Sequence, residues 1–106
     1  MILIWTLKDS HGQTPLSRAA EYGHEATAKL LLKYGADIDS KDYRDQTPLL
    51  WAAQCGHEAI VSMLLENGAD LGSKNFHGQT PLSRAAACGN EAILNLLLMN
   101  DPDLDS

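Results

Sequence analysis

The sequence predicts an all-α solenoid in which short antiparallel helix pairs stack side by side, with β-turn or hairpin fingers between them. Three observations carry this. The tripeptide Thr-Pro-Leu recurs at Thr14, Thr47 and Thr80, a spacing of 33 residues of the kind that marks a repeat array. Each recurrence is followed in fixed register by two alanines (Ala19-Ala20, Ala52-Ala53, Ala85-Ala86), a glycine (Gly23, Gly56, Gly89) and a Glu-Ala step (Glu25-Ala26, Glu58-Ala59, Glu91-Ala92). Residues 11–20 reappear unchanged as residues 77–86.

Taken in order, the chain opens on an apolar leader, residues 1–8, in which Met1, Ile2, Leu3, Ile4, Trp5 and Leu7 carry the hydrophobicity. It lacks the basic start and small-residue cleavage site of a secretory signal and falls short of the ~20 apolar residues that span a bilayer. The leader is expected to fold back over the open side of the first unit; a leader without fixed structure, or ends cut from a longer array, are the alternatives. Units follow at 9–41, 42–74 and 75–106.

In each unit the threonine is an N-cap whose hydroxyl accepts from an orphan amide, and the proline fits the first helical position, where no amide partner is needed. In the middle unit Leu49, Ala52 and Ala53 then give the first helix a narrow apolar stripe, and Gly56 ends it in a left-handed conformation. Glu58 opens the second helix at the positive end of its dipole. Ile60, Val61, Met63, Leu64 and Leu65 supply a broader apolar face, and Gly68 closes it. The stretch 36–46 is polar and turn-rich, as a connector should be. No helix pair of this size can bury its apolar face alone, so neighbours must stack.

Terminal units of such arrays normally turn a polar face outward. Here Ile93, Leu94, Leu96, Leu97, Leu98 and Met99 make the last helix the most apolar of its kind, and Asp101-Pro102 replaces the Gly-Ala of Gly35-Ala36 and Gly68-Ala69. The array is expected to end there, with end-to-end self-association through the apolar terminal faces as one consequence.

At 106 residues, 44% hydrophobic and 21% charged, the composition is that of one globular unit in water. A formal charge of −6 has the wrong sign for binding by phosphate neutralisation, so nucleic acid is not expected as a partner. A membrane is not expected either. Cys55 and Cys88 are too few for a disulfide scaffold and lack the close spacing of zinc ligands. They point to a reducing, intracellular location, the cytoplasm first and the nucleus as the alternative.

The pattern Gly-x-Thr-Pro-Leu, Ala-Ala, Gly-His, Leu-Leu-Leu and Gly-Ala-Asp resembles the ankyrin repeat, over essentially all of residues 9–106. The wording Gln-Thr-Pro-Leu-Ser with Gly-His-Glu-Ala is similar to arrays in large fungal multidomain proteins. The resemblance implies a curved stack of helix pairs with β-turn fingers along one edge. It also implies partner contacts at the finger tips and on the exposed side of the inner helices. Carried over position by position, these are Ser10, His11 and Gln13, then Tyr43, Arg44 and Gln46, then Phe76, His77 and Gln79 on the fingers. On the inner helices they are Glu21 and Tyr22, then Gln54 and Cys55, then Ala87 and Cys88, the cysteines holding a variable surface position. Where the family places His after Thr-Pro-Leu, this chain has Ser17, Leu50 and Ser83, so the middle unit is expected to lack a polar link. His24 and His57 hold the family's Gly-His position, which implies structural hydrogen bonding between helices.

Tyr43, Arg44 and Phe76 stand out, because aromatic and arginine side chains anchor interfaces. Arg18, Trp51 and Arg84 share one inner-helix position and read either as a cation–π ladder or as stems covering the grooves between units. Asp45 stands where the other units carry Gly12 and Gly78, so it is expected at positive φ. The histidines are too far apart in the array to share a metal ion, and the scattered aspartates match no calcium loop. No phosphate loop, serine elbow or enclosed carboxylate pair is present. The expected function is therefore non-catalytic recognition of a partner protein, without metal or cofactor. A segment of a longer array that spaces or packs other domains is the alternative.

Overall fold

The computed structural model describes residues 7–101. Most of the leader, and with it the expectation that it caps the first unit, lies outside the described residues. Among the described residues six helices alternate in two layers: α1 (Pro15–Tyr22), α2 (Glu25–Lys33), α3 (Pro48–Cys55), α4 (Glu58–Glu66), α5 (Pro81–Cys88) and α6 (Glu91–Met99). The inner layer α1, α3, α5 packs in sequence, as does the outer layer α2, α4, α6. The stack is elongated, 44 × 27 × 24 Å.

Local chemistry sets each helix. Thr14, Thr47 and Thr80 accept hydrogen bonds from the amides of Ser17, Leu50 and Ser83, and proline takes the first helical position each time. The inner helices end at Gly23, Gly56 and Gly89 with φ of 75°, 78° and 68°, a conformation that disfavours a Cβ. Glu25, Glu58 and Glu91 occupy the first turns of the outer helices.

Alanines make the inner layer tight: Ala20, Ala52, Ala53 and Ala85 are fully buried. The outer layer contributes Ile60, Val61, Leu64, Ile93 and Leu97 to the same cluster, while Leu16, Ala19, Ala28 and Ala36 form a second. The core is thus spread along the seams between helix pairs. Leu50 makes no polar link, as expected, and its side chain is fully buried instead; Ser17 and Ser83 hydrogen-bond to the Thr14 hydroxyl and the Thr80 amide.

The fingers are turns, as the fold class expects, and no strand occurs among the described residues. Each is a tight turn closed by one main-chain pair, for example Asp42 N to Gln46 O at 3.1 Å and Asp45 N to Asp42 O at 3.0 Å. Adjacent fingers are joined singly, Tyr43 N to His11 O at 3.1 Å and Phe76 N to Arg44 O at 2.9 Å. One bond per finger pair is too short a run to build a ladder.

Candidate functional site

An acidic or amide side chain at the base of each finger holds its tip in place. Asp9 Oδ1 accepts from the amides of His11 and Gln13, Asp42 Oδ1 from Arg44 and Gln46, and Asn75 Oδ1 from His77 and Gln79, all at 2.9 or 3.0 Å. These turns, of the kind Asp and Asn make with the backbone, present Ser10 and His11, Tyr43 and Arg44, and Phe76 and His77 outward. Sequence reasoning passed over Asp9, Asp42 and Asn75. Their signal was there, four positions before Gln13, Gln46 and Gln79 in the same 33-residue register. The main-chain bonds to Asp9 Oδ1, from Gln13 first and then His11, outweigh desolvation and with Arg18 hold its carboxyl below the usual carboxylate value.

The expected contact residues converge. A cavity of about 370 Å³ lies between the first and second fingers, and one of about 160 Å³ between the second and third. Between them they are lined by every finger residue named for partner contact and by Glu21 and Gln54 of the inner helices, with Arg44 and Trp51 in the wall of both; Tyr22, Cys55, Ala87 and Cys88 lie outside them. Tyr22 stands apart at the end of α1, about half exposed. At the tips Tyr43 is 73% and Phe76 59% exposed, and the Phe76 and His77 rings lie 4.1 Å apart.

Two of these residues are turned inward. Gln13 and Gln46 are buried, their amides committed to Glu21 Oε1 at 2.9 Å and to Gln54 Oε1 at 3.2 Å. Asn75 also donates to Gln46 Oε1 at 2.7 Å and to Gln79 Oε1 at 2.9 Å. Committed to these bonds, both glutamines brace the tips and expose little surface.

The cation–π ladder is not formed. Trp51 donates from Nε1 to Asp42 Oδ2 at 3.1 Å. Arg18 lies over the Tyr22 ring at 4.8 Å and reaches Gln13 Oε1 at 3.0 Å, Glu21 at 3.5 Å and Asp9 at 3.9 Å. Nearer carboxylates on each unit's own finger and helix outcompete a ring in the next unit. Arg84 has no such partner, and its Nε is buried without an acceptor.

His57 Nε2 lies 2.9 Å from the Glu21 carbonyl, linking the first two helix pairs. His24 is exposed and makes no comparable bond among the described residues, because no described helix end lies on that side of it; Asn90, in the third unit, instead caps α6 through the Ile93 amide. His11 and His77 are exposed on the fingers. No group of three His, Cys, Asp or Glu among the described residues could hold a metal ion. Cys55 and Cys88 are free and exposed. Burial, then the Glu21 carboxylate and Cys88, push the Cys55 thiol up against the opposing pull of Arg84, which leaves it a poor nucleophile.

A wider hollow, about 680 Å³, runs along the outer layer between α2 and α4. It is walled by Glu25, Lys29, Lys33 and Glu66 over Leu32 and Met63 and has neither arginine nor aromatic side chain. The finger side holds both kinds of anchor and is the stronger candidate.

Stacked helix pairs with fingers along one edge define a helical repeat solenoid, with its exposed aromatic tips Tyr43 and Phe76 on the finger side. The family model for ankyrin repeats in three copies matches residues 39–106, and the single ankyrin repeat model matches residues 11–43. The chain belongs to the ankyrin repeat family, whose members are generally protein–protein interaction modules and generally non-catalytic. No curated protein sequence matches it significantly. No helix among the described residues is long and apolar enough to cross a membrane.

Proposed function

We propose that this chain, with units at 9–41, 42–74 and 75–106, recognises a partner protein without catalysis, through the finger tips and the two cavities behind them. The observation that carries this reading is the exposure of Tyr43 and Phe76 on either side of Arg44, which walls both cavities. Turns braced from below hold these side chains out at little further entropic loss on binding. The formal charge of −6 favours protein over nucleic acid, and two free, exposed thiols suit a reducing, cytoplasmic setting. The test is affinity capture with the chain carrying Tyr43→Ala, Arg44→Ala and Phe76→Ala together. Loss of the captured protein is the expected result; a partner that stays bound removes this surface from consideration.

A second reading is favoured by the end of the stack. Ala20 and Ala53 are fully buried by the next helix pair, whereas Ala86, at the same position, is exposed, and Met99 is 79% exposed. Such a face suits a further unit of a longer array or the end of a second copy. Light scattering over a concentration series separates this from the first reading: a strict monomer argues against end-to-end association.

A further inference from the structure

We propose that the cavity between the second and third fingers binds a carboxylate side chain, Glu or Asp, presented by the partner protein. This deepens the recognition reading above and rests on it.

The repeat supplies its own template. In the first unit the finger carboxylate Asp9 faces the inner-helix cation Arg18, Oδ2 to Nε at 3.9 Å. In the second, Asp42 Oδ2 accepts from Trp51 Nε1 at 3.1 Å. In the third, Asn75 stands in place of the carboxylate while the inner-helix position is again arginine, and Arg84 Nε is buried with no acceptor. The donor is retained and its anion is gone. Buried donors without an acceptor are rare, and each asks for a reason.

Charge placement agrees. All three arginines of the chain line the two finger-side cavities and none of its lysines does. Arg18 is already compensated by Glu21 and Asp9. Arg44 and Arg84 form no ion pair with any described carboxylate, and no carboxylate lines the cavity they share. Asp42 is spent, its oxygens taken by the Arg44 and Gln46 amides and by Trp51. At about 160 Å³ the cavity suits one side chain, and the rings of Trp51 and Phe76 in its wall lower the local polarity, which strengthens charge-assisted bonds. A planar carboxylate matches the fork of a guanidinium group. A dianionic phosphate is opposed more strongly by the net charge of −6 and by Glu21 and Asp42 in the adjoining cavity.

The test uses a phage-displayed random peptide library selected on the full chain, followed by fluorescence anisotropy with the fluorescein-labelled winners. The expected winners share Glu or Asp at one position; changing it to Gln weakens binding about tenfold or more, the loss of a charge-assisted bond. Arg44→Gln with Arg84→Gln does the same. So does Asn75→Asp, which restores the internal carboxylate, with circular dichroism confirming that each variant is folded. Arg44→Gln alone, at an exposed tip, guards against a folding defect at half-buried Arg84. Winners that ignore the arginine and Asn75 changes but are lost with Tyr43→Ala or Phe76→Ala overturn this inference and leave the recognition surface standing. Winners indifferent to every one of these changes overturn both. Binding only when the acidic residue is replaced by phosphoserine overturns the choice of carboxylate.

Discussion

His57 reaches from the start of α4 to the end of α1, its Nε2 2.9 Å from the carbonyl of Glu21, and its ring lies where a Cβ on Gly23 would come within 2.7 Å. Gly89 has the same role at the end of α5, a similar φ and nothing within 4 Å of an added Cβ. Gly23→Ala and Gly89→Ala therefore carry a comparable left-handed penalty, about 1 kcal/mol, and only the first adds a clash. Gly23→Ala is expected to lower stability by at least 1 kcal/mol more in urea melts. Adding His57→Ala, itself a loss of about 1 kcal/mol, should erase that difference in a double-mutant cycle; equal effects of the two glycine changes argue against the clamp.

Asp45 sits at φ 60°, the one non-glycine residue at positive φ among the described residues. Its counterparts Gly12 and Gly78 hold φ of 78° and 75°. Asp45→Gly should therefore stabilise the chain by a few tenths to about 1 kcal/mol, raising the Tm by a few degrees. The reverse trade is closed at Gly12, where an added Cβ would meet the Tyr43 ring at 2.5 Å. Gly12→Ala is expected to lower the Tm, and an unchanged value for both variants would contradict the assignment.

Asp42 accepts three hydrogen bonds, two from its finger and one from Trp51. Asp42→Ala should cost about 2 kcal/mol or more by stranding buried donors. Asp42→Asn keeps the turn, as Asn75 does in the third finger, but sets an amide against the Trp51 N–H. Its loss should match that of Trp51→Phe, and the two changes together should be less than additive. Full additivity in thermal melts would show that the Trp51 bond contributes nothing.

The carboxyl of Asp9 is held low, first by the Gln13 amide and then by His11 and Arg18, against desolvation. A pKa depressed in the folded state gives stability that is present above the unfolded value, about 4, and is lost as pH falls through the folded value. Acid titration of the His11 and Gln13 amide shifts by NMR should follow one inflection below 4. Asp9→Asn is expected to abolish that inflection while keeping the turn.

The helices could be read from the sequence because what starts and stops them is local: the threonine hydroxyl, the proline ring and the glycine at the end act within a few residues. Asp45 at positive φ could be read because the neighbouring units placed glycine there. The exposure of Tyr43, Arg44 and Phe76 could be read because an aromatic or arginine on a turn has few uses inside a fold. The burial of Gln13 and Gln46 could not be read, since polar residues on turns usually face water. Arg18, Trp51 and Arg84 were rightly aligned in one row, but position alone did not say which neighbour each would choose.

The sequence by itself determined the period, the helix limits and the row of residues along the finger edge, because a repeat writes its register into every unit. Which of those residues stand exposed and which are spent on internal hydrogen bonds was decided only by the tertiary structure. Pairing depends on distances between units: Asp42 close enough to take the Trp51 hydrogen, Glu21 and Asp9 close enough to compensate Arg18, and an Asn75 that leaves Arg84 without its counter-charge. Short-range forces choose among candidates that spacing alone makes equivalent.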